Sequence, residues 1–150
     1  MLGLVTVSVH PSPTYLADTS ALVRMNLPIV AAVLAPLISQ GMVGRCGLVD
    51  FEMLYTARNH AEFLEIRDER NLAFPLLPMT QDHFERALEV MALLAAANKH
   101  RAAKIPDLLI AAVAEDANLT LIHYDRDFDH IASVTRQKTQ WVAPRGSLEP

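Results

Sequence analysis

The chain has 150 residues, 51% of them apolar, which is enough for one packed domain without staples. Its formal net charge of −4 excludes a protein that coats nucleic acid through bulk positive charge, but not an enzyme whose acids share one pocket. Cys46 is the only cysteine, so an intramolecular disulfide and a multi-cysteine zinc site are excluded and a reducing, cytoplasmic setting is expected.

Residues 1–14, with His10, Pro11, Ser12 and Pro13, read as a leader ahead of the domain. Residues 1–9 are apolar but lack the basic residue and cleavage site of a signal peptide. No membrane span is expected, because Pro28, Pro36 and Gln40 interrupt the longest apolar run. Tyr15, Leu16 and Ala17 form a first short strand that delivers Asp18 to its C-terminal lip, and Thr19 and Ser20 open a helix to about Met25. Asn26 is expected to cap a second helix carrying Pro28 in its first turn and an apolar stripe of Val30, Val33, Leu34, Leu37 and Ile38. Pro36 should kink that helix or end it early, and Gly41 stops it.

Residues 42–47 read as a second strand, followed by a helix over 48–58 that is apolar almost all round and therefore expected to be buried, with Glu52 inside it. Residues 60–71 read as an exposed helix laced by charge pairs, and 73–77 as an edge strand, since Pro75 argues against a central one. Thr80 caps a long helix to about Lys99, with Phe84, Leu88, Met91, Leu94 and Ala95 at helical spacing. Ile105, Pro106 and Asp107 open the next helix, to about Asn118, and 119–123 is a buried-strand candidate. Asp125 and Asp127 sit in the turn beyond it, a short helix follows, and Trp141 and Val142 form a last strand before a tail over 144–150 that is expected to fray. Strands near 15, 43, 73, 120 and 141, separated by helices, predict an α/β domain over 15–143 with a mainly parallel sheet of about five strands.

Four acidic residues stand apart because each ends, or is embedded in, an apolar element: Asp18, Glu52, Asp107 and Asp125. Asp18 has a structural alternative as a helix cap, Asp107 as a favourable first-turn acid, and Asp125 and Asp127 as turn formers, whereas Glu52 in an apolar helix needs a partner. Gathered in one pocket they would need a cation, and oxygen-only ligands select hard ions, Mg²⁺ or Mn²⁺.

The stretches around these four acids are Tyr15-Leu16-Ala17-Asp18-Thr19-Ser20-Ala21, Val49-Asp50-Phe51-Glu52-Met53-Leu54-Tyr55, Ile105-Pro106-Asp107-Leu108-Leu109-Ile110-Ala111-Ala112 and His123-Tyr124-Asp125-Arg126-Asp127-Phe128. In that order they resemble the four motifs of PIN-domain ribonucleases, and most closely the VapC-type toxins of bacterial toxin–antitoxin pairs. The resemblance implies a PIN-like fold in which Asp18, Glu52, Asp107 and Asp125 hold one or two Mg²⁺ or Mn²⁺ ions for hydrolysis of RNA phosphodiesters. Asp127 is a second-choice ligand, because residues two apart point differently in a helix and only one of the pair need face the metal, and Asp50 raises the same ambiguity against Glu52. The resemblance gives Thr19 or Ser20 the task of orienting Asp18. It also implies a homodimer and a VapB-type antitoxin, whose helix would lie on residues 22–38 and the 48–58 helix.

Two other functions compete. An aspartate-dependent phosphatase would use Asp125-Arg126-Asp127 but leaves Asp18, Glu52 and Asp107 without a role. An interaction module would use the acidic pocket only to dock a basic partner. His123 and His130 match no common zinc spacing, Cys46 reads as a core residue, and Arg24, Arg101, Lys104 and Arg126 are candidate phosphate contacts.

Overall fold

The structure is a computed structural model that describes residues 12–148. Residues 1–11 of the expected leader and the last two of the tail lie outside the described residues. Four strands, β1 (Tyr15–Ala17), β2 (Val43–Gly44), β3 (Thr120–His123) and β4 (Thr139–Trp141), form one sheet in the order β2-β1-β3-β4, with every neighbouring pair parallel.

Parallel neighbours need crossovers, and helices supply them. Helices α1 (Thr19–Leu22) and α2 (Pro28–Ser39) lead from β1 to β2. Helices α3 (Gly47–Tyr55), α4 (His60–Ala73), α5 (Gln81–Ala96) and α6 (Ile105–Asp116) lead to β3, and α7 (Asp127–Thr135) leads to β4. This is the expected α/β arrangement, with four strands rather than five. The fifth, expected over 73–77, is reduced to a single bridge between Arg45 and Leu76. Arg45 donates its N–H to the Pro75 carbonyl at 2.9 Å and accepts from Leu77 at 2.8 Å, but Pro75 has no N–H with which to extend the ladder.

The core lies where β1 and β3 meet the helices. Leu16, Leu121 and Ile122 are buried with Val30 and Leu34 of α2, Leu94 of α5, Ile110 of α6, and Phe128 and Ile131 of α7. Central parallel strands are covered by crossover helices, which is why their residues read as continuous apolar runs.

Three local expectations change. Leu27, not Asn26, is the N-cap of α2, and it makes no side-chain cap, because Pro28 already sets the first turn. Pro36 does not end the helix, which runs on to Ser39, since the ring forfeits only one hydrogen bond so near the C-terminus. Gly41, at φ +70°, then closes it: its N–H reaches the Ile38 carbonyl and that of Met42 reaches Leu37, each at 3.0 Å. Helix α3 is not buried all round: Val49 faces the core, whereas Phe51 is 74% and Tyr55 91% exposed. The tail also turns back rather than fraying before Leu148, whose N–H donates to the Tyr124 hydroxyl at 2.9 Å.

Helix α4 is less solvated than its charges suggest. Arg70 is only 5% exposed, and its Nε donates to Asp50 Oδ1 at 2.7 Å while Arg45 Nη1 donates to Asp50 Oδ2 at 2.6 Å. One carboxylate thereby ties β2's exit, α3 and α4 together. Removing it leaves a guanidinium buried without its counter-charge. Asp50→Ala is expected to cost about 3 kcal/mol in denaturant unfolding, whereas Glu62→Ala, which loses only the exposed Arg58 pair, should cost under about 1 kcal/mol.

Candidate metal centre

The C-terminal ends of β1 and β3 are brought side by side by their pairing, with Ala17 opposite Ile122. The Asp18 N–H extends the ladder by donating to the Ile122 carbonyl at 2.9 Å. The residues that leave these two strands, Asp18 from one and Tyr124 and Asp125 from the other, therefore emerge at one lip of the sheet, where ligands bind in open α/β folds. Ser20 closes the gap: its hydroxyl accepts the Tyr124 N–H at 2.9 Å across 104 positions of chain.

Asp18 caps α1, with Oδ2 accepting the Ser20 N–H at 2.9 Å, and is 4% exposed. Burial pushes its carboxyl above the usual range, against the opposing bonds from Ser20 and Thr19, and the nearby Asp125 charge adds to the rise. Ser20 therefore steadies Asp18, while the Thr19 hydroxyl turns elsewhere and donates to Glu52 Oε1 at 3.1 Å. Glu52 is half-buried on α3, also raised by burial, and feels the charges of Asp18 and Lys104. Asp50 points instead to Arg45 and Arg70, so of the two α3 acids only Glu52 is bonded toward the lip.

Asp107 reaches the same place from the first turn of α6, where a helix N-terminus favours an anion. It is 4% exposed, and its Oδ2 is buried with no hydrogen-bond partner among the described residues. Burial first, then Asp127 and the charges of Asp18 and Asp125, push its carboxyl far above the ordinary range, and Lys104 only partly offsets them.

Asp107, Asp125 and Asp127 each offer a carboxylate oxygen, and these oxygens lie within 4.8 Å of one another. The objection to using both Asp125 and Asp127, that residues two apart point differently in a helix, does not apply here. Helix α7 begins only at Asp127, and the Asp127 N–H donates to Asp125 Oδ1 at 2.9 Å, so the pair forms a turn in which both carboxyls face the cluster.

The side chain that sequence reasoning left among loose basic residues is Lys104. Its ammonium lies 2.7 Å from Asp127 Oδ2, 2.9 Å from Asp125 Oδ2 and 3.5 Å from Asp107 Oδ2. The Lys104 N–H also donates to Asp127 at 3.0 Å. Against burial, these bonds raise the lysine's pKa and hold Asp127 low, to about 2. The spacing of Lys104 three residues before Asp107 was the available signal, since such pairs face each other at a helix start. His123, by contrast, is fully buried; desolvation takes its pKa down to about 4, and it packs against Phe128 and Trp141 with both ring centroids at 4.9 Å. It is a neutral core imidazole whose Nδ1 accepts the Asp125 N–H at 3.2 Å.

The donors fit a hard cation. They are all carboxylate oxygens, one is buried and unpartnered, and a positive group already sits among them. Among the described residues no helix is long and apolar enough to cross a membrane.

Comparison with known proteins agrees with this geometry. The model of the PIN domain family matches residues 15–134. Ribonuclease VapC51 of Mycobacterium tuberculosis is 44% identical over 135 residues, covering 90% of this chain and 97% of that protein. Among solved structures, a DNA-bound VapBC from Salmonella typhimurium superposes with a TM-score of 0.71 at 11% identity, covering 87% of this chain and 99% of that one. A toxin–antitoxin complex from Klebsiella pneumoniae gives 0.65 at 20% identity, over 86% and 98%. With a parallel sheet whose β1 and β3 send Asp18 and Asp125 out at one lip, and relatives matched over nearly their whole length, the chain belongs to the PIN-domain family and stands among its VapC-type ribonucleases.

Proposed function

We propose that this chain is a metal-dependent endoribonuclease toxin that hydrolyses RNA phosphodiester bonds and is neutralised by a cognate antitoxin. One observation carries the reading: Asp107, Asp125 and Asp127 converge on a single positive group, with Asp107 Oδ2 buried and otherwise unpartnered. Asp18, Glu52, Asp107 and Asp125 would hold a divalent ion, Mg²⁺ or Mn²⁺, and Asp127 joins them by position. Such an ion polarises a phosphoryl oxygen, helps deprotonate water and stabilises the leaving oxygen.

The chain's own residues supply the rest. Ser20 fixes Asp18 against the Tyr124 backbone, and Thr19 holds Glu52 through its hydroxyl, so both carboxyls are oriented before any ligand arrives. Lys104 neutralises part of the cluster and can turn its ammonium to a phosphate without leaving the site. Exposed Val23, Ile29, Phe51 and Tyr55 leave an apolar surface beside Glu52 for an antitoxin helix, and the relation to VapC proteins and VapBC complexes supports that partner. Phe84, Leu88 and Ile105, exposed on α5 and α6 around a cleft of about 110 Å³, suit a homodimer contact.

The purified chain is expected to cut cellular RNA in Mg²⁺ or Mn²⁺ and to stop on chelation. Asp18→Asn and Asp107→Asn should each lower the rate by roughly a hundred-fold or more, with the fold intact by circular dichroism. Full activity in both variants would exclude the reading and favour a docking module. Lys104→Met should lower the thermal midpoint of the metal-free chain, and Mg²⁺ should raise the midpoint by more in that variant than in the parent chain. Because Asp107 is held protonated by its surroundings and must lose that proton to bind a cation, Mg²⁺ affinity should rise as pH is raised through neutrality, with proton release measurable by calorimetry in buffers of different ionisation enthalpy.

A further inference from the structure

Two clefts border the acidic cluster, and their linings differ in kind. One, of about 350 Å³, is lined by Thr19, Phe51, Glu52 and Tyr55, so it is apolar and acidic. The other, of about 280 Å³, contains Asp125 itself and is lined by Tyr124, Arg126, Trp141, Arg145 and Gly146. The first repels a polyanion. The second combines two guanidiniums with an indole.

We propose that the cleft formed by Arg126, Trp141 and Arg145 beside Asp125 is a nucleotide subsite for single-stranded RNA, with the indole stacking a base and the arginines engaging its phosphates. The proposal rests on the ribonuclease reading above and adds where the substrate lies. Its first support is continuity: a nucleotide seated here touches Asp125, so its phosphate lies next to the cluster. The second is charge. Arg126 stands between Asp125 and Asp127 in sequence, yet neither it nor Arg145 is in an ion pair among the described residues. Lys104 has taken those carboxylates, which leaves both guanidiniums free for another anion, and a planar guanidinium can hold a phosphate by two parallel bonds.

The third support is the rigidity of the indole. Trp141 Nε1 donates to both oxygens of Asp129, at 3.1 and 3.3 Å. Its ring meets His123 at 4.9 Å and Tyr124 edge-on at 5.4 Å and 87°. Held by these contacts, the half-buried ring is set in place before a base arrives, which spares the ordering cost of stacking. Arg145 is placed over that ring, 5.8 Å from its centroid, by the turn of the tail through Gly146 at φ +78° and the Leu148 bond to Tyr124. A base entering the cleft meets the indole and exchanges one cation–π contact for stacking, with the guanidinium free to follow the backbone. The cleft is too small for a helix of a protein partner and suits one nucleotide, so an unpaired strand, whose bases are open to stacking, is the form it accepts.

Trp141 is the only tryptophan of the chain, so selectively excited tryptophan fluorescence reports on this cleft alone. The experiment titrates a short single-stranded RNA of mixed sequence into Asp18→Asn, in Mg²⁺, following fluorescence together with anisotropy of labelled RNA. Saturable quenching with matching anisotropy is expected. Arg126→Ala with Arg145→Ala should weaken binding about ten-fold or more, and in the otherwise native chain should raise KM with little change in kcat. Trp141→Leu should weaken binding by a similar factor, with Trp141→Phe retaining most of it. Unchanged affinity in the double arginine variant, RNA binding without quenching, or equal binding of the fully paired duplex would each overturn the subsite. Metal-dependent cutting by the native chain is measured separately, so a failed subsite with persistent cutting leaves the nuclease standing, and absence of cutting fails the nuclease reading itself.

Discussion

Like charges gathered in one pocket impose the constraint on which the rest of this structure depends. Two carboxylates about 4 Å apart repel by roughly 4 kcal/mol at an effective dielectric near 20, and Asp107, Asp125 and Asp127 bring oxygens within 4.8 Å of one another. The chain meets this repulsion in three ways. Burial keeps Asp107 biased toward its neutral form, Lys104 places an ammonium among the three, and helix starts and turn N–H groups bond the carboxylates that remain ionised. Each of these arrangements also suits a divalent cation, which would relieve the same repulsion more fully. Stability of the metal-free fold and readiness for a metal are thus set by one group of residues.

The scaffold's part is to make the convergence unavoidable. Parallel pairing of β1 with β3 sends Asp18 and Asp125 out at the same lip, and the Ser20 hydroxyl bond to Tyr124 keeps the two exits in step. Helix α6, buried along Leu108, Ile110, Ala111 and Val113, cannot shift without disturbing the core, so Asp107 at its first turn is held as firmly as the sheet. Glu52 is the exception. It rides on α3, whose outer face carries exposed Phe51 and Tyr55, and among the described residues its hydrogen bond is the one it accepts from Thr19. This carboxylate has the most freedom to move.

What was legible in the sequence were features that depend on neighbours a few positions apart. The β1 exit at Asp18, the start of α6 at Pro106 and Asp107, and the buried run of β3 follow from capping, dipole and hydrophobic pattern. What was not legible depends on partners far along the chain. Apolar residues all round α3 suggested burial, but among the described residues no element covers Phe51 and Tyr55, and periodicity cannot tell a core face from a face left for a partner. The charges of α4 suggested a solvated surface, yet Arg70 is drawn inward by Asp50, twenty residues earlier. The argument that helical geometry separates Asp125 from Asp127 does not apply, because α7 begins at Asp127 and Asp125 lies two residues ahead of it, in the turn.

A net charge of −4 argues against a protein that holds RNA by bulk attraction, and on the proposed function an acidic chain would meet a polyanion through a few placed groups instead. Five of the 17 acids, Asp18, Glu52, Asp107, Asp125 and Asp127, are placed at one lip of the sheet, and a divalent ion held there under the proposed function would leave that lip no longer strongly repulsive. Beside it, Arg126 and Arg145 stand in no ion pair among the described residues, and Lys104 already serves Asp125 and Asp127. Binding by a few placed groups releases few counterions, so affinity in such a site depends weakly on salt and strongly on geometry. On the proposed subsite, that dependence places discrimination among RNAs in the shape of the cleft beside Asp125 rather than in the charge of the whole chain.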